Sequence, residues 1–191
     1  MPTRYSLLSR LRDWDDQDSW KEFFDSYWRL IYSVALKSGL TQDEAQDVVQ
    51  ETIISVARDI HKFKRDRSLG SFKGWLRNLT RWRIADHLRK RGRGTHTDLD
   101  IGTIADPAAS ASETLWDNEW QSNLLNAALE RIKHRVKEEH YQIFDLYVIR
   151  QWPVSKVAET LGVNVGQIYL AKHRVAALLK KEIRALEKRW D

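Results

Sequence analysis

The chain has no cysteine, which excludes disulfides and thiolate metal sites and fits a reducing cytoplasm. Only three of its 191 residues are proline (Pro2, Pro107 and Pro153), and no stretch alternates apolar and polar residues as a half-buried strand does. No apolar run approaches the ~20 residues needed to span a bilayer, and the opening MPTRYSLLSRLRDWDD lacks the apolar centre of a signal peptide. The six histidines (His61, His87, His96, His134, His140 and His173) show no metal-ligand spacing, and no glycine loop is built to hold a phosphate. Asp15 with Asp16, and Glu138 with Glu139, are adjacent carboxylates on different helix faces rather than acid–base pairs. The expectation is an all-α cytoplasmic protein with no membrane contact, no catalytic residue, no metal and no cofactor.

What is present is charge in blocks. The net charge is +5, but from Lys62 to Gly94 twelve Lys and Arg residues stand against Asp66 and Asp86 alone. From Asp98 to Glu119 there are six acidic residues and no basic one, and from Gln167 to Arg189 seven basic residues face two acidic ones. A single charge run is ordinarily a solvated face. Two basic blocks on either side of an acidic connector suggest two contacts with a polyanion.

The stretch RGRGTHTDLDIGTIADPAASAS, rich in Gly, Ser, Thr, Asp and Ala, lacks helical periodicity. It separates an N-terminal helical domain, residues 1–91, from a C-terminal one, residues 116–191, with a flexible acidic linker over 92–115. In the first domain, Asp18 or Ser19 is expected to cap a helix carrying Trp20, Phe23, Phe24, Tyr27, Ile31, Val34 and Ala35, most of them core, with Gly39 as its stop. Thr41 with Glu44 three residues on forms a capping box that opens a second helix. Its buried stripe runs through Ala45, Val48, Val49, Thr52, Ile53, Val56 and Ile60. The opposite sector holds Asp47, Gln50, Glu51, Ile54 and Arg58. A solvated face is the ordinary reading of that sector by spacing alone, although an apolar centre ringed by polar groups also describes a protein contact.

A basic loop, FKRDRSLGSF, leads into KGWLRNLTRWRIADHLRKR. Phe72, Trp75, Leu76 and Leu79 form one apolar stripe there, and Ile84, Ala85 and Leu88 form a second rotated from it. Either the helix bends near Thr80–Arg83 or its halves pack on different neighbours. Trp82 lies between Arg81 and Arg83, off the first stripe, which suits stacking on an exposed base beside phosphates.

In the C-terminal domain, one helix carries Leu124, Leu125, Ala128 and Ile132, and the next Ile143, Phe144, Tyr147 and Val148. Ala158, Gly162, Ile168 and Ala171 then fall at helix-turn-helix spacing: a small residue where two helices cross, and a glycine for the left-handed turn. Val157, Leu161, Ile168 and Val175 would clamp the pair. The second helix, starting near Val165, would present Gly166, Tyr169, Leu170 and His173, with Gln167 and Arg174 at the edges and Lys172 beside them. Entering a major groove by its N-terminal end, it would bring Asn164, Gly166 and Gln167 nearest the bases or phosphates. An exposed Leu170 suits a thymine methyl, while Arg174 could meet guanine or phosphate.

DEAQDVVQETIISVARDIHKF, FKGWLRNLTRWRIADHLRKR and VAETLGVNVGQIYLAKHRV, in that order and with an acidic linker between the last two, resemble bacterial RNA polymerase sigma factors of the two-domain extracytoplasmic-function group. The resemblance implies that Asp47, Gln50, Glu51, Ile54 and Arg58 bind core RNA polymerase. It implies that the loop from Phe63 and the helix after it engage and open the minus-ten element. Phe63 or Trp82 would capture a base there; Lys64, Arg65, Arg77, Arg81, Arg83, Arg89, Lys90 and Arg91 would hold phosphates, with Asp86 among them. The helix-turn-helix would read the minus-thirty-five element through Asn164, Gly166, Gln167, Tyr169, Leu170, Lys172, His173 and Arg174. Promoter DNA and core polymerase are the implied partners, and an anti-sigma factor is a common further one in the family.

The chain departs from the family where Trp82 replaces a small polar residue, and where IYLAKHRVA stands for the frequent VKSRLHRAR, so that Ala171 and Ala176 replace arginines and Tyr169 a basic residue. The competing reading is a helix-turn-helix regulator acting without polymerase. It leaves the DVVQE helix, the tryptophan-bearing basic helix and the acidic linker without a role.

Overall fold

The computed structural model describes residues 7–63, 71–92 and 107–190, with the side chains of 107–111 and 189–190 left aside. Eight α-helices and one π-helical turn make up the regular structure among these residues, with no strand: α1 Leu7–Arg10, α2 Gln17–Lys37, α3 Gln42–Asp59, α4 Phe72–Gly92, α5 Pro107–Lys133, α6 Glu138–Phe144, the π-turn Asp145–Ile149, α7 Val154–Leu161 and α8 Val165–Trp190. None of these helices is long and apolar enough to cross a membrane. The chain divides into two compact units, one built on residues up to Asn123 and the other on Leu124–Lys188.

Local chemistry sets the helix ends. Asp16, rather than Asp18 or Ser19, caps α2: its carboxylate accepts from the Ser19 amide at 2.9 Å and the Ser19 hydroxyl at 2.6 Å, and Arg10 Nε donates to it at 3.1 Å. Gly39, at φ +90°, supplies the left-handed residue just beyond α2. At α3 the capping box closes as expected, with the Thr41 amide donating to Glu44 at 2.7 Å and the Glu44 amide to the Thr41 hydroxyl at 3.3 Å.

The core of the first unit is aromatic. Phe23 and Tyr27 of α2 meet Phe72 of α4, with ring centroids 4.8 Å apart for Phe23–Tyr27 and 5.7 Å for Tyr27–Phe72. The α3 stripe is buried except Ile53, which is half-buried. Phe24 does not join the core. It is exposed and stacks on Trp28 at 6.2 Å, one turn away on the outer side of α2. Helix α4 runs unbroken from Phe72 to Gly92, and of the expected second stripe only Ile84 is buried; Ala85 and Leu88 face outward with Trp82.

The expected linker over 92–115 ends early, because α5 already starts at Pro107. The first half of α5 belongs to the first unit. Trp116 and Trp120 are buried, Trp120 lies 5.8 Å from Tyr27, and the Asn123 side-chain amide donates to the Ser26 carbonyl at 2.7 Å. The acidic residues there dock too: Glu119 pairs with Lys37 and accepts from the Ser33 hydroxyl at 2.6 Å, Asp117 pairs with Lys73 at 2.6 Å, and Glu113 pairs with Arg77. The sequence pattern places 107–115 in the tether and 116–123 in the C-terminal domain, whereas complementary charge and two indoles make them one helical segment of the first unit.

In the second unit, Ile143, Val157, Ile168 and Ala171 form one buried cluster, and Ile132, Phe144 and Val175 form another. Leu125, expected in the stripe of its helix, is exposed. Gly162 sits between α7 and α8 at φ +64°, the left-handed backbone that lets two helices join through so short a turn.

Candidate nucleic-acid interface

Helix α4 is the first candidate surface. Asn78, Arg81, Trp82, Ala85, Leu88 and Arg89 recur at three- and four-residue intervals and are all exposed, so they share one outward face. Trp82 is 65% exposed, an unusual cost for an indole that no described residue of the first unit covers. Its basic neighbours divide into two groups. Arg81 and Lys90 have no ion-pair partner among the described residues. The others have protein partners: Arg77 pairs with Glu113, the still exposed Arg89 with Asp86 on its own helix, and Arg91 with Glu44 and with the Gly39 carbonyl, to which it donates at 3.0 Å. Thus the described part of the basic block presents fewer uncommitted cations to a phosphate chain than its composition suggests. Phe63 is half-buried, 5.1 Å from Trp75 and 5.8 Å from Phe72, and its carbonyl accepts from Arg12 at 3.0 Å. Lys64 and Arg65 lie outside the described residues.

On α3, Asp47, Gln50, Ile54 and Arg58 are exposed and Glu51 is half-buried, and Ile54 shows 57% of its surface. Two of the five are engaged within the unit. Arg58 pairs with Asp59 at 2.8 Å, which raises the guanidinium pKa still further; with Lys62 it holds the Asp59 carboxyl at about 2. Glu51 lies 3.5 Å from His87 Nε2 and 3.9 Å from Arg83 Nε, while Arg83 donates to the Ser55 hydroxyl at 2.7 Å. Ser55, His87 and Arg83 therefore form a polar seam that ties α3 to α4 behind Trp82. Ser55 and His87 gave no sign of this in the sequence, because the seam depends on which residues two separate helices bring together. Glu44 is another such residue: its carboxyl is held below the usual range first by the Thr41 amide and then by Arg91.

The second candidate surface is α8. Gly166, Gln167, Tyr169, Leu170, His173 and Arg174 are exposed along it, and Lys172 is half-buried. The helix opens on a reciprocal cap, in which the Gln167 amide donates to Asn164 Oδ1 at 2.9 Å and the Asn164 amide donates to Gln167 Oε1 at 2.8 Å. The two side chains expected nearest the bases thus bind each other's backbone. Tyr169 meets Tyr147 edge-to-face at 5.9 Å, and Lys172 Nζ lies 5.6 Å from the Tyr147 ring centroid. A hydrogen bond with Tyr147, and then its charge, push the Tyr169 phenol above its ordinary pKa range. Tyr147, read from the sequence as core, is half-buried between the core and this face.

A model of the Sigma-70 region 2 family matches residues 23–94, which takes in most of α2, all of α3 and α4. The chain is 25% identical over 173 residues to the ECF RNA polymerase sigma factor SigE of Mycolicibacterium smegmatis, covering 91% of this chain and 65% of that protein. It is 23% identical over 163 residues to the ECF RNA polymerase sigma factor RpoE of Cereibacter sphaeroides, covering 85% of each. Among solved structures, a chain of the RsbN-BldN complex aligns over 92% of this chain and 97% of its own length, at 18% identity and a TM-score of 0.37.

Proposed function

We propose that this chain, which carries a sigma-70 region 2 and is similar over most of its length to extracytoplasmic-function sigma factors, works as one. It binds core RNA polymerase, brings it to particular promoters and helps to open the DNA. The observation that carries this reading is the exposed Trp82 on the outward face of α4, inside the region 2 match and beside the uncommitted Arg81.

Each surface has a physical task. The α3 face, with Ile54 at its centre, has the apolar middle and polar margin of a protein contact and docks the polymerase. Arg81, Lys90 and Arg89 set the backbone of the opened strand in place and make binding fall steeply with salt. Extracting a base from the stack costs a few kcal/mol. Stacking it on Trp82 returns about 1–3 kcal/mol, so capture and phosphate contacts together offset melting at an A·T-rich step. The helix-turn-helix holds the upstream element by α8. No bond is made or broken by this protein, and catalysis resides in the polymerase.

Run-off transcription with core RNA polymerase over a promoter library tests the reading and reports the specificity together. The chain is expected to direct initiation from a defined subset of templates. Ile54→Arg is expected to weaken polymerase binding at least about tenfold, as charge placed at the centre of a contact does. Trp82→Ala is expected to leave polymerase binding intact and reduce open complexes roughly 5- to 150-fold, the equivalent of the lost stacking. Equal activity of the Trp82 variant on a linear template would refute the role of that indole, and initiation from no template would refute the function.

A further inference from the structure

Most polar groups on the N-terminal half of α8 are already occupied inside the second unit. Gln167 and Asn164 cap each other's backbone, Lys172 lies over the Tyr147 ring, and the Tyr169 ring meets that of Tyr147 edge-to-face. Exposed between them are the Tyr169 ring and Leu170, at 43% and 48% of their surfaces. Further along, the exposed His173 and Arg174 have no hydrogen bond or ion pair among the described residues.

Tyr147 is held firmly enough to impose this arrangement. It lies in the π-turn Asp145–Ile149 that follows α6, and such a turn fits an extra residue into the helix and re-aims the side chains that follow. Its ring packs on the buried Ile143, Val157, Ile168 and Ala171 cluster, the same residues that clamp α7 to α8. From that anchored position it meets Tyr169 at 88° between ring planes, an edge-to-face contact of the favoured kind.

Resting on the reading of α8 as the minus-thirty-five helix, we propose that Tyr147 is a specificity-determining positioning residue. By tying down Tyr169 and Lys172 it leaves an apolar Tyr169–Leu170 surface that selects thymine methyl groups in the major groove. In that groove the thymine 5-methyl is the one apolar feature of the base edges, whereas guanine is read by free donors such as Lys and Arg. Withdrawing Lys172 onto an aromatic face removes one such donor. Tyr147 itself need not touch DNA, since it acts through the two side chains it holds.

The test uses the full chain with core RNA polymerase on a promoter that the unaltered chain selects from a library. Each thymine of its minus-thirty-five element is replaced in turn by uracil, which removes only the methyl group. Loss of one buried methyl predicts that initiation falls about fourfold at one or more positions. Tyr147→Phe keeps the ring, and with it the contacts to Tyr169 and Lys172, and is expected to keep the thymine-to-uracil ratio. Tyr147→Leu keeps an apolar side chain against the core but removes the ring, and is expected to bring the thymine-to-uracil ratio below about two while initiation persists. A selected element without thymine, a ratio of one for the unaltered chain, or an unchanged ratio in Tyr147→Leu would overturn the proposal. In each of these cases promoter-directed initiation remains and the proposed function stands. Initiation from no template would remove the function, and this inference with it.

Discussion

Trp82 and Trp116 carry the same side chain to opposite ends of the exposure scale, 65% and 1%. Residue type does not separate them; position on a helix and the approach of a second element do. Trp82 falls on the face of α4 that no described helix of its unit covers, and Trp116 on a face of α5 that closes over the aromatic core. Polar residues divide by the same logic. Asp16, at the start of α2, has its carboxyl held at about 2 rather than 3.8 by the Ser19 hydroxyl and amide and then by Arg10. The folded chain keeps that charge further into acid than the unfolded chain does. Its stabilising effect is therefore complete above the unfolded value of 3.8 and is lost as pH falls through about 2. Asp16→Ala should lower the melting temperature near neutrality, and the gap to the unaltered protein should narrow between about pH 4 and pH 2. A gap of constant size across that range, followed by circular dichroism, would show that the carboxylate contributes nothing through its charge.

At the scale of elements, α5 shows how a segment can be misjudged by composition. Its first residues are small and acidic, yet Trp116 and Trp120 bury against the first unit while Glu113, Asp117 and Glu119 find Arg77, Lys73 and Lys37. The ion pairs are partly exposed and contribute little each. The indoles dominate, since a buried aromatic reduced to alanine typically costs about 3–5 kcal/mol. Trp116→Ala should thus destabilise the first unit by about that amount in urea unfolding. Unchanged stability would mean that the docked half of α5 is incidental to the unit. Helix α8 is an element where local and distant influences meet: its cap is written in Asn164 and Gln167 three residues apart, but its outward chemistry is set by Tyr147, which arrives from another helix.

At the scale of the whole molecule, the chain divides into two units, and their limits have consequences for dissecting it. A fragment spanning residues 7–123 contains every buried aromatic of the first unit and should melt cooperatively. A fragment ending at residue 92 loses Trp116 and Trp120, leaves Tyr27 partly uncovered, and should melt at least about 15 °C lower if it folds. Equal melting temperatures for the two fragments, measured by calorimetry, would place the boundary of the unit at the end of α4 instead.

The sequence by itself determined the helical class, the Thr41–Glu44 capping box, the α3 stripe and the glycine turn at Gly162, because each is a matter of residues within a turn or two of one another. It also placed Trp82 off the apolar stripe and Leu170 on an outward face by helical spacing alone. Only the tertiary structure decided that Asp16 caps α2, that α5 begins inside the expected linker, and that Arg77, Arg91 and Lys172 are committed to protein partners. Helical period and most caps are local and recur wherever their residues do. The partner of a charge or an indole is chosen by whichever distant element closes against it, and no spacing along the chain records that choice.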